Sequence, residues 1–212
     1  MRWVRKSNVF EFANAASGDK VVAWSSGTRC RRAPATTLAT VSAVEIRQAQ
    51  IEDFPAVATM HYPVWLDSNS GVMTPYVLSL FDPPETWPDT AYAQKLSAPG
   101  WTMWIAESDN RAVGMAVFGP DAEDDRVIEL DSLYVARKEE GIGGRLLNKA
   151  LESDPSADMR LWVAEGNLRA RSYYENRGFA RDGRTKVWKP MSGVQVPQLG
   201  YRLRRSPRSL TG

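Results

Sequence analysis

The chain predicts a mixed α/β (α+β) domain, and three features of its order lead there. Residues 45–97 set a short strand-like segment ahead of stretches with helical spacing. Residues 101–135 read as an antiparallel meander. Residues 141–178 then run helix, strand, helix, which requires a crossover back onto the same sheet.

Taken in order, "VEIRQA" is a short strand, and "EDFPAVATMHYPVW" places Phe54, Val57, Ala58, His61 and Trp65 at helical spacing. Pro63 predicts a kink or an end near Tyr62, because proline disfavours the helical conformation of the residue before it. In "TPYVLSLF", Thr74 is an N-cap with Pro75 at the first helical position. A further helix is expected within residues 83–97. "WTMWIAES" and "AVGMAVFG" are strands around the turn "DNRA", and "RVIELDSLYV" is a third. "GIGGRLLNKALE" is a helix, "MRLWVAE" a strand, and "NLRARSYYENRG" a helix closed by Gly178. "RTKVWK" and "LGYRLR" complete the set as strands.

The third strand carries a break in phase. Ile128 and Leu130 are two apart, as are Leu133 and Val135, but the step between the pairs is three. A regular strand cannot keep both pairs on one face. An extra residue near Asp131 or Ser132, a β-bulge, restores the phase and leaves backbone groups unpaired; alternatively Val127 and Tyr134 share the burial and the strand is regular.

Composition narrows the function classes. No apolar run approaches the roughly 20 residues of a membrane helix. Cys30 is the single cysteine, so no internal disulfide is available and the cytoplasm is the expected compartment. The net charge of +2 is unevenly spread: residues 1–44 carry +5, residues 199–212 carry +4, and the stretch between carries −7. Such a core offers no specific nucleic-acid face. Residues 1–44 show weak periodicity and a basic cluster, which predicts a poorly ordered extension, or a natural start downstream of it. Residues 45–205 form the domain and 206–212 a tail.

Gly141, Gly143 and Gly144 follow a strand and open a helix. That arrangement presents free N–H groups and the positive end of a helix dipole to a phosphate. The spacing matches neither GxGxxG nor GxxxxGK[ST], and a tight turn with close helix packing is the competing reading.

"LYVARKEEGIGGRLL" and "RLWVAEGNLRARSYYENRGF" together resemble the two best-defined segments of the GNAT superfamily of acyl-CoA-dependent N-acetyltransferases. The first matches the family's strand, [Q/R]-x-x-G-x-[G/A] and helix, with Lys138 in the Gln/Arg place. The second matches N-x-x-A-x-x-x-Y-E-x-x-G-F at Asn167, Ala170, Tyr174, Glu175, Gly178 and Phe179. With the opening strand and helix, the resemblance covers roughly residues 45–205. It implies a mostly antiparallel central sheet flanked by helices, with a strand pair splayed to admit acetyl-CoA as acyl-donor cosubstrate. The pyrophosphate would lie on the amides around Lys138, Gly141, Ile142, Gly143, Gly144 and Arg145. The pantetheine arm would run along Leu133, Tyr134 and Val135, with Asn167 and Tyr174 on the facing helix. Two departures stand out: a short connection from Val135 to Gly141, and Glu139 and Glu140 beside the expected pyrophosphate.

The implied reaction transfers an acetyl group to a primary amine of a small molecule or peptide within a ternary complex. A catalytically silent acyl-CoA-binding regulatory module is the alternative. The transfer needs a neutral amine, oxyanion stabilisation and a proton for the departing thiolate. Glu129 is the candidate base, with Asp131 in reserve if a bulge exchanges their faces. Tyr174 matches the family's general acid, although Tyr173 and Tyr174 also suit core packing. His61, the only histidine, reads as a packed side chain or as a wall of the acceptor pocket. No grouping of histidine and cysteine suggests a metal site, and no nucleophile elbow is present. "PDAEDDR" reads as a solvated acidic turn rather than a polyamine site. Trp65 and Trp87 are core residues or, by the resemblance, acceptor contacts. The expected partners are acetyl-CoA and an amine acceptor, with no membrane, in a monomer or homodimer.

Overall fold

The computed structural model describes residues 4–6, 9–13, 20–24, 43–137 and 140–205. The chain separates into two compact units, Met1–Val41 and Ser42–Gly212. In the first, β1 (Val4–Lys6), β2 (Val9–Ala13) and β3 (Lys20–Trp24) pair as an antiparallel three-stranded sheet. The remainder of the expected extension, and the 206–212 tail, lie outside the described residues.

The second unit is built on a seven-stranded mixed sheet of order β4-β5-β6-β7-β8-β10-β9. Its strands are β4 (Glu45–Gln48), β5 (Thr102–Ser108), β6 (Arg111–Pro120), β7 (Val127–Val135), β8 (Asp158–Ala164), β9 (Ala180–Trp188) and β10 (Val196–Leu203). All described pairings are antiparallel except β7 with β8. The turn joining β5 to β6 holds Asp109 and Asn110 at φ 51° and 56°, the paired left-handed conformation of a two-residue hairpin.

One face of the sheet is covered by α1 (Phe54–Asn69), whose stripe of Phe54, Val57, Ala58 and Met60 meets Met103, Ile105, Met115 and Val117. The other carries α4 (Ile142–Ser153), packed through Ile142, Leu146, Leu147 and Ala150. Pro63 does not end α1, which runs on to Asn69. Proline inside a helix costs about 3 kcal/mol. Here the buried stripe continues past it to Trp65, which packs on Met73, Leu78 and Val196, so burial outweighs the lost backbone bond.

Thr74 caps the short α2 (Pro75–Leu78), its hydroxyl accepting from the Val77 N–H at 3.3 Å. The helix expected within 83–97 is a composite: a 3₁₀ turn (Pro84–Thr86), a π-helical stretch (Pro88–Ala93) and a final turn, α3 (Gln94–Leu96). The wider π turn carries Tyr92 into the core, edge-on to Phe54 at 5.7 Å between ring centres.

The phase break in β7 is a bulge. Val117 faces Ser132 while Phe118 faces Leu130, so Asp131 is the extra residue. Ile128 and Leu130 belong to the α4-side core, and Leu133 and Val135 pack against that same core. Tyr134 faces the α1 side.

Candidate active site

The bulge has a consequence for the neighbouring strand. The parallel ladder between β7 and β8 runs from Val127–Asp158 to Leu130–Leu161 and stops there, while β8 continues to Ala164 paired with β10. Past Leu130 the two strands part. A cleft of about 730 Å³ fills the gap, lined by Leu133–Val135 of β7, Gly141–Gly144 at the start of α4, and Asn167, Ala170, Tyr173 and Tyr174 of α5 (Leu168–Glu175).

Each wall is positioned by a local device. Gly141 is the N-cap of α4 at φ 72°, and a Cβ built there would meet no atom within 4 Å. The left-handed conformation suits glycine, and the space beside it is open at the N-terminus of a helix, where anions are favoured. Gly143 answers to a different constraint: a Cβ there would lie 2.9 Å from the Tyr173 hydroxyl. Close packing, one of the two readings of the glycine cluster, accounts for Gly143, while the space beside Gly141 is open.

Helix α5 is fixed at both ends by the residues that carried the motif. Asn167 caps it, accepting from the Ala170 N–H at 3.0 Å and donating to the Ser68 carbonyl at 3.2 Å. Gly178, at φ 85°, ends the helical segment, with Phe179 N–H reaching back to the Tyr174 carbonyl. Glu175 accepts from the buried Tyr201 hydroxyl at 2.7 Å, tying α5 to β10. Tyr174 is thereby locked, edge-on to Tyr173 at 5.1 Å and to Phe179 at 5.5 Å. Burial pushes its phenol well above the ordinary value, so it holds its proton at neutral pH.

Not every expected residue joins the cleft. Lys138 lies outside the described residues. Arg145 is not on the cleft wall; its guanidinium donates to the Val44 carbonyl at 2.8 Å. The described cations on the wall are Arg137, Arg169 and Arg177. The sequence reading missed them, yet Arg177 sits one turn beyond Tyr173, over whose ring its guanidinium stacks at 3.6 Å. Helical spacing was the available signal. Exposed Glu140 pairs with Arg137 at 3.8 Å.

A second cavity of about 280 Å³ lies on the α1 side and shares Tyr134 with the cleft. His61, Trp65 and Trp87 line it. The His61 Nδ1 is 2.9 Å from the Tyr92 hydroxyl, and burial drives the imidazole down to about 3.

Glu129 lies on neither wall. It lines a third cavity that shares Thr90, Ala91, Lys95 and Asp131 with the aromatic one. Burial raises its carboxyl, against the opposing pull of Lys95 and Lys186. Asp131, the bulge residue, borders both cavities and pairs with Lys95 at 2.9 Å. Three of the four acids of the 120–126 turn are occupied: Asp121 holds buried Arg160 at 2.6 Å, Asp124 meets Arg202 and Glu123 meets Arg184. No metal-holding cluster and no helix long and apolar enough to cross a membrane occur among the described residues.

Comparison with known proteins agrees with this geometry. The sequence model described as the acetyltransferase (GNAT) family matches residues 73–179. A probable N-acetyltransferase of Mycobacterium tuberculosis is 53% identical over 167 residues, 78% of this chain and 96% of that protein. An uncharacterized N-acetyltransferase of Archaeoglobus fulgidus is 30% identical over 112 residues, covering 44% of this chain and 76% of the other. Among solved structures, the PaiA N-acetyltransferase of Thermoplasma acidophilum in complex with coenzyme A superposes with a TM-score of 0.55 at 19% identity. That match spans 77% of this chain and 99% of its counterpart. The split sheet, its glycine-opened helix and these matches agree: the chain belongs to the GNAT family of acetyltransferases and is an acetyltransferase enzyme.

Proposed function

We propose that this enzyme transfers the acetyl group of acetyl-CoA to a primary amine by direct attack in a ternary complex. The observation that carries the reading is the parting of β7 from β8 after Leu130, which opens a cleft ending at the amides of α4. The fit to acetyl-CoA is chemical. A helix N-terminus with an uncrowded left-handed Gly141 and three arginines on the wall suit a pyrophosphate, and a freed strand edge suits the amides of a pantetheine arm. That the Thermoplasma protein of the same fold was crystallised with coenzyme A supports the assignment.

In this reading the backbone of Leu133 and Val135 pairs with the arm, while the amides of Gly141–Gly144 hold the phosphates. The acceptor amine enters past Tyr134, the residue common to both cavities. Glu129, poised by burial, takes the amine proton through water across the boundary formed by Lys95 and Asp131. Backbone N–H groups at the bulge stabilise the developing oxyanion. Tyr174, which keeps its proton at neutral pH, delivers it to the departing thiolate. The test is thiol release from acetyl-CoA across a panel of amines, with coenzyme A affinity measured in parallel. Tyr174→Phe should keep that affinity and lose about 10²–10⁴ in turnover, the range for general acid–base catalysis. Coenzyme A binding without acceptor-dependent thiol release from any amine would overturn the reading.

A further inference from the structure

The smaller cavity says more than that an acceptor can enter. Its walls are a cluster of rings set edge to face: Trp65 to Phe81 at 4.6 Å, Trp65 to Trp87 at 5.8 Å, Trp65 to Trp188 at 6.4 Å and His61 to Trp87 at 4.9 Å. Rings so interlocked form a stiff apolar slot, and their faces attract a single cation. At about 280 Å³ the slot sits at the lower end of the roughly 300–1,000 Å³ of drug-sized sites, so it suits one small body.

Polar side chains also line the slot, Thr90 and Ser132 among them. His61 is only 6% exposed and one ring nitrogen is engaged by Tyr92, yet its buried Nε2 has no hydrogen-bond partner in the protein. A buried polar atom left unpaired costs about 1–3 kcal/mol, a cost that a bound polar group removes. The charged residues on the wall are Asp82, Asp131 and Lys95, a net of one negative charge, and Lys95 is already committed to Asp131 and to the face of Trp101 at 3.6 Å. That balance matches one ammonium. A polycation would need further carboxylates, and three of those in the nearby 120–126 turn are held by arginines.

We propose that the acceptor is a small primary amine carried on a short aromatic arm, with the ring seated among Trp65, Trp87 and Trp188 and a polar group hydrogen-bonded to His61 Nε2. This inference rests on the acetyl-transfer reading and deepens it by naming the acceptor class. His61 acts here as a positioning residue.

The experiment has two readouts that fail separately. His61 is the only histidine, so its ring gives a single imidazole resonance set in the spectrum. With coenzyme A present, 2-phenylethylamine should shift that resonance saturably and spermidine should not. In thiol release, 2-phenylethylamine should exceed spermidine, an aminoglycoside and a glycine-terminated peptide by at least about tenfold in kcat/KM, a difference of about 1.4 kcal/mol. Trp87→Ala should raise KM for 2-phenylethylamine several-fold with coenzyme A affinity unchanged, which a merely structural tryptophan would not do. Equal or better use of any comparison amine, an unshifted His61 resonance, or an unchanged KM in Trp87→Ala would overturn the acceptor assignment. Loss of coenzyme A binding by the wild-type protein would instead overturn the acetyl-transfer reading on which it depends.

Discussion

His61 allows a prediction that can be worked through in numbers. In the unfolded chain a histidine titrates near 6.5. In the folded protein, burial among Tyr92, Trp87 and Tyr134 drives it down to about 3, with Asp131 pulling weakly the other way. The depressed value fixes the sign. As pH falls through 6.5 the unfolded state binds a proton that the folded state refuses, so stability is lost on acidification until the folded imidazole titrates as well. Integrated between pH 7 and pH 5, this linkage destabilises the fold by about 2 kcal/mol. The figure is set almost wholly by the unfolded state, since the folded imidazole is still neutral at pH 5. Carboxylates titrate over the same interval, so the measurement is a difference. Urea unfolding of wild type and of His61→Phe at both pH values isolates the histidine, and the wild type should lose about 2 kcal/mol more than the variant. The variant leaves the Tyr92 hydroxyl without its partner at both pH values, an offset that cancels. Equal pH slopes would mean that the folded imidazole titrates normally, and the dry aromatic slot would then be refuted.

Four further outcomes follow from the same geometry. Gly143→Ala sets a methyl 2.9 Å from the hydroxyl of Tyr173, over whose ring Arg177 stacks. It should destabilise the wild type but stabilise Tyr173→Phe, where helix propensity gains up to about 1 kcal/mol, and a double-mutant cycle by denaturation reads the coupling. Removing the guanidinium in Arg160→Met strands Asp121 and Asp182, both nearly buried, and should cost about 3–5 kcal/mol in unfolding experiments. If Glu129 is the base, turnover should fall as pH drops through a value above the ordinary carboxylate range. Lys95→Met removes a cation that holds this value down and should move the limb to higher pH, while Glu129→Gln should abolish the limb. Arg177→Met should weaken coenzyme A binding and reduce its salt dependence without altering the acceptor KM, as expected for a cation on the cleft wall.

Much of this architecture was legible because it depends on local rules. The step of three between Leu130 and Leu133 allowed a bulge or a regular strand, and the ladder has the bulge, with Asp131 as the extra residue. The Thr74–Pro75 start and the Gly178 stop are capping chemistry and occur where capping predicts. What escaped depended on distance. Pro63 predicted a kink or an end, and the end did not follow because the proline penalty is local, whereas the burial of Trp65 that outweighs it comes from residues 73, 78 and 196. The rings of the aromatic slot come from α1, the loop after α2, the composite 84–96 segment, β7 and β9, and no spacing rule joins them.

The bulge also separates the two carboxylates considered for the base. Glu129 is the candidate base, with Asp131 in reserve if a bulge exchanges their faces. One inserted residue makes them unequal: Asp131 occupies the bend itself and borders both small cavities, while Glu129 stays in register opposite Gly119, bordering only the outer one. Burial and charge then divide them further, since Asp131 is tied to Lys95 while Glu129 is desolvated and raised. A desolvated carboxylate is a better proton acceptor, which favours Glu129, while position favours Asp131, which borders both cavities. Comparing Asp131→Asn with Glu129→Gln separates these contributions. A base is lost when kcat falls and its acid limb vanishes, whereas a group that only orients the amine raises KM and leaves the limb where it was. Glu129→Gln should show the first pattern and Asp131→Asn the second; the reverse would transfer the role to the bulge residue.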